Sequence, residues 1–121
     1  MREIEFRAWD VLNNKMLNWG DIFHLPAWEI FPGTPEQRSF NIMQYTGMKD
    51  KNGREIYEGD IVKFISRLDD SKRMGTVRYW AGDAAFLIEC EREIFFLFHD
   101  ALNREVIGNI YENPEILKDT K

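Results

Sequence analysis

The side chains able to carry chemistry in this chain are few: histidines at 24 and 99, one cysteine at 90, and the acidic pair Asp69-Asp70. His99-Asp100 is a pairing that metal-dependent phosphohydrolases use. Such centres need further His and Asp ligands, and neither His24 nor Cys90 stands at ligand spacing from it. His99 follows the strand-like run Ile94 to Phe98, so a packed or solvent-facing imidazole is the plainer reading. Cys90 ends a β-branched and aromatic run, where a free cysteine packs as a small hydrophobe rather than serving as a nucleophile. Asp69-Asp70 lies among Arg67, Lys72 and Arg73, which reads as a solvated hairpin tip and not as an acid-base pair. Neither a glycine-rich phosphate-binding fingerprint nor a Gly-Lys-Ser/Thr stretch occurs. The expectations are no catalytic residue, no metal, no cofactor and no enzymatic activity.

Binding offers more. Lys63, Arg67, Lys72, Arg73 and Arg78 stand against Asp69 and Asp70 in one short stretch, a local positive surplus in a chain of net charge −5. A basic hairpin of this kind can follow a phosphate backbone while Tyr79 or Trp80 stacks on a base. The same cations also guard an exposed strand edge against aggregation, and that reading is preferred. Trp19, Phe23, Trp28 and Phe31 fall in or beside an irregular segment, residues 20 to 39, and either complete a core or form a protein interface. The leading expectation is therefore binding to another protein, or self-association. Nucleic-acid binding by the 63 to 78 hairpin is the alternative.

The elements that must position these residues read as β-structure. Glu3 to Ala8 alternates charged and apolar residues, Asn13-Asn14 suits a tight reversal, and residues 3 to 19 form a hairpin. A second strand, Phe40 to Thr46, leads into a turn at Gly47 to Gly53. Strands follow at 60–65, 75–80, 85–90 and 106–111, with 94–98 as a strand that ends in a turn. Asn113 caps and Pro114 opens a short terminal helix. The fold class is mainly β: residues 1–56 form an N-terminal hairpin lobe with an irregular segment, packed with a small SH3-like bent barrel and helical turn at 57–121. One cysteine excludes an intramolecular disulfide. The longest uncharged apolar run is far below the ~20 residues of a membrane helix. A soluble cytoplasmic protein with no membrane partner is expected.

Three stretches add a family resemblance. Residues 1–10, with Phe6-Arg7-Ala8-Trp9-Asp10, residues 43–62, with Thr46-Gly47-Met48-Lys49-Asp50-Lys51-Asn52-Gly53 and Tyr57-Glu58-Gly59-Asp60, and residues 106–115, with Gly108-Asn109-Ile110-Tyr111-Glu112-Asn113-Pro114, resemble the YopX family, small proteins of bacteriophages and prophages. The resemblance implies a phage or prophage origin, action in the bacterial cytoplasm, a β-rich fold and, for a binding protein, a partner of host or phage. The family has no established activity, so no functional residue is carried over.

Overall fold

A computed structural model of the chain describes residues 4–26 and 40–118. The chain divides into two compact units, Met1–Tyr45 and Thr46–Lys121. The division falls within a strand, ahead of the 56/57 position read from the sequence, because residues 46–56 are bonded to partners further along the chain.

In the first unit, β1 (Phe6–Asp10) and β2 (Lys15–Leu17) form the expected hairpin, with Ala8 opposite Leu17 and Asp10 opposite Lys15. The Asp10 carboxylate accepts the backbone N–H groups of Leu12 and Asn13 and the Asn13 side-chain amide, which bends the chain back. Asn14 completes the reversal at φ 50°, a conformation Asn tolerates. Ala8 is fully buried, whereas Ile4 precedes the strand and stays exposed. The segment read as irregular begins instead with one helical turn, α1 (Trp19–Ile22), because Asn18 and Asp21 form a reciprocal capping box. β3 (Phe40–Lys49) runs antiparallel to β1 from Phe6↔Gln44 to Asp10↔Phe40.

The second unit opens on the end of β3, which continues past Thr46 to Lys49. Thr46 Oγ1 donates to the Ile56 carbonyl at 2.8 Å and ties the strand to β4 (Glu55–Tyr57), an element too short to show a period in sequence. Next come β5 (Asp60–Ser66), β6 (Lys72–Trp80), β7 (Ala85–Glu89), β8 (Ile94–Phe96) and β9 (Ala101–Asn109), one antiparallel sheet in the order β8-β7-β6-β5-β9. Val62, Phe64, Val77, Ile88, Phe95 and Val106 face one side and close a core with Ile56, Leu97 and Ala101. Phe64 and Phe95 meet edge to face at 5.2 Å. Each such side chain contributes about 1.5–3 kcal/mol on burial. Register steps between Ile61/Val62 and Lys63/Ile65 against β9 bend the sheet, which curls as a half-barrel.

Both β6 and β9 begin earlier than the sequence suggests. Lys72 and Arg73 pair with Ile65 and Phe64 despite their charge, and Asn103, at φ 52°, inserts a bulge that breaks the alternation of β9. β9 also ends at Asn109 rather than Tyr111, since the Asn109 carboxamide accepts the N–H groups of Tyr111 and Glu112 and turns the chain. The Asn113 carboxamide oxygen points back to the Asn109 N–H rather than capping forward, and the short helix α2 spans Glu115–Lys118.

Two aspartates hold the entry to this sheet. Asp60, 1% exposed, accepts the Tyr57 N–H at 2.7 Å across a turn where Gly59 has φ 85°. Asp50, 7% exposed, accepts N–H groups from Asn52, Arg54 and, 56 residues on, Val106, each at 2.9 Å. Burial opposes its ionised form, yet the three amides outweigh burial and hold the carboxyl below the usual 3.8. Its stabilising effect is thus fully present above that value and is lost as pH falls through the lower, folded-state pKa. Asp50→Ala should cost about 3 kcal/mol in urea unfolding, because it orphans buried amides. The wild-type midpoint should hold from neutral pH to about 5 and fall below it, more steeply than in Asp50→Asn.

Candidate functional site

The basic hairpin is divided by its own register. Lys63 pairs with Met74 and Ile65 with Lys72, which places Lys63 and Lys72 on the sheet face opposite the core. Arg73 pairs with Phe64 and turns to the core side, where its guanidinium carbon lies 5.5 Å from the Phe95 ring centroid. Glu93 and Asp69 both bind Arg73, its Nε donates to Ser71 Oγ at 2.7 Å, and Glu93 above all raises its pKa. Arg78 sits 3.7 Å from Glu89, and Lys63 3.5 Å from Glu105. Of the five cations expected to meet phosphate, three are thus paired within the protein, Lys63 and Arg78 at exposed positions, and Arg67 and Lys72 are exposed as well. Tyr79 and Trp80 lie at the far end of β6, at ~3.3 Å per residue about 25 Å from the hairpin tip, and Tyr79 packs on Phe86.

The aromatic quartet is only partly described. Trp19 is half-buried against Phe6 and Phe23, with ring centroids at 5.9 and 5.7 Å, and Phe23 is exposed. Trp28 and Phe31 lie outside the described residues.

His99 Nδ1 and Asp100 Oδ1 are 2.9 Å apart, but the Asp100 side chain has structural work. Its Oδ2 accepts the Phe96 N–H and its own N–H donates to the Phe96 carbonyl, closing the turn after β8. His99, then the Phe96 amide, keep this carboxyl below the ordinary range. Among the described residues no three His, Cys, Asp or Glu side chains converge to hold a metal ion, and no helix is long and apolar enough to cross a membrane.

Cys90 borders an open cleft of about 550 Å³ with Lys63, Lys72, Arg73, Met74 and the Glu91–Glu93 turn. Its Sγ lies against β6, where a Cβ on Gly75 would come within 2.9 Å of the sulfur and 2.6 Å of the Glu89 carbonyl oxygen. Residues that sequence reasoning missed are Lys51 and Glu105, which pair at 3.5 Å, and Arg104, whose Nη1 donates to the carbonyls of Leu97 and Ala101. The Asn103 bulge hides the placement of both β9 residues, and Glu105 comes beside Lys63 only through the β5–β9 register.

Fold and geometry define a mainly β protein whose described polar clusters bind backbone and one another. The chain matches the YopX protein family over residues 5–118 and belongs to that family. No curated protein matches it. Its fold is similar to the crystal structure of protein EF1440 from Enterococcus faecalis, at 27% identity and TM-score 0.59, over 97% of this chain and 99% of that one. It is similar also to protein yopX from Bacillus subtilis, at 23% identity and TM-score 0.62 over the whole of both chains. The stretches that carry the resemblance contain Asp10, Asp50, Asp60 and Asn109, the buried side chains that make the turns.

Burial pushes the Cys90 thiol up to about 11 from 9.0. Iodoacetamide should therefore label the native protein at neutral pH roughly 100-fold more slowly than the urea-unfolded chain, followed by intact mass.

Proposed function

We propose that this protein is a non-enzymatic phage or prophage accessory factor that acts in the bacterial cytoplasm by binding another protein or a second copy of itself. The observation that carries this reading is the pairing of Arg73 and Arg78 with Glu93 and Glu89, which interrupts the positive stripe a nucleic acid would follow along the hairpin. Apolar surface supports it. Trp80, Ile94, Phe96 and Phe98 are exposed, and Phe96 stands beside Leu87 on the face opposite the core. The negative net charge also disfavours long-range attraction to polyanions.

Capture from bacterial extract on the immobilised full chain, with and without nuclease, tests the reading. Saturable, nuclease-insensitive retention of a protein, or a concentration-dependent dimer in sedimentation, is expected. Binding of duplex DNA or single-stranded RNA at about 150 mM salt, abolished by Arg67→Ala, Lys72→Ala and Arg73→Ala together, would overturn it in favour of phosphate recognition.

A further inference from the structure

The face opposite the core carries a compact positive site. Lys51 Nζ and Lys63 Nζ both lie 3.5 Å from the same oxygen, Glu105 Oε1, so two ammonium groups share one carboxylate. Lys72, on the neighbouring strand and on the same face as Lys63, is exposed and has no ion-pair partner among the described residues. The three lysines, Glu105 and Ile65 line one concavity of about 240 Å³, bordered also by Arg73, which Asp69 and Glu93 pair, and Leu102 lies next to Ile65 across the β5–β9 register. Three positive charges against one negative make this a local surplus of two on a chain of net charge −5.

We propose that this concavity docks a short acidic segment of a partner protein, its carboxylates on Lys51, Lys63 and Lys72 and an apolar side chain between them on Ile65 and Leu102. This rests on the reading of the chain as a protein-binding factor and adds the chemistry of the partner. Charge complementarity favours the occupant. Each ammonium has three donors, and a single carboxylate oxygen shared by two of them leaves donors for incoming carboxylates. The site extends across β6, β5 and β9, about 10 Å at ~4.8 Å per strand, which suits two or three charges and not a running phosphate backbone. Its aromatic side chain, Phe64, is buried in the core and offers no stacking face.

The test is fluorescence anisotropy of the full chain with three labelled probes: a capped Glu-Leu-Glu-Leu-Glu peptide, its Lys-Leu counterpart, and oligothymidylate. Saturable binding of the acidic peptide is expected, weakened at least tenfold by Lys51→Glu, Lys63→Glu and Lys72→Glu together and several-fold by raising salt from about 50 to 300 mM. Circular dichroism melts check the triple variant. Should it fail to fold, Lys72→Glu alone should still weaken the peptide measurably. Equal binding by wild type and a folded variant, or tighter binding of oligothymidylate than of the peptide, would overturn the site. If the peptide fails while nuclease-insensitive protein capture persists, the site falls and the protein-binding reading stands; capture of nucleic acid alone sinks both.

Discussion

A buried carboxylate or carboxamide that accepts the amides of its own turn is the constraint on which this structure depends. Asp10, Asp50, Asp60 and Asn109 each do so, and each sits where a strand must reverse or meet a distant one. Turn amides cannot join a ladder, and leaving them unbonded in a protein interior is costly. A short acceptor side chain solves the problem locally. Asp50 goes further, because its second oxygen reaches Val106 and fixes a turn to a strand that follows it by half the chain.

The same account explains why a specific sequence pattern accompanies so little visible chemistry. Aspartate and glycine clustered in a short motif invite a reading as catalytic or ligand-binding residues. Here Gly59 supplies a backbone conformation and Asp60 an acceptor, and the pair positions β5. Under the proposed binding role, exposed side chains such as Lys72 and Phe98 are the ones left to meet a partner.

What could be read in the sequence follows from the range of each interaction. The first hairpin was legible because alternation and two asparagines both act within a few residues. The strand-then-turn at 94–98 was legible for the same reason. β4 was not, since three residues carry no period, and the start of β9 was not, since a bulge at Asn103 shifts the pattern in mid-strand. The ion pairs were beyond reach. Whether Glu105 lies beside Lys63, or Glu93 beside Arg73, depends on a register that only the assembled sheet sets. The positive charge counted along the chain therefore overstated the charge available to a ligand.

The bond pair between Asp100 and Phe96 bears on how this sheet ends. β8 is three residues long and exchanges backbone bonds with β7 through its middle residue, so its outward-facing rungs are those of Ile94 and Phe96. Asp100 occupies both polar groups of Phe96, donor and acceptor alike. In the terms of polymer growth, β8 is a capped terminus: a strand from another molecule finds one rung to join where a ladder needs several in succession. Association is thereby steered toward side-chain contact, which can be saturated and reversed, and away from the open-ended stacking that an uncapped edge would nucleate.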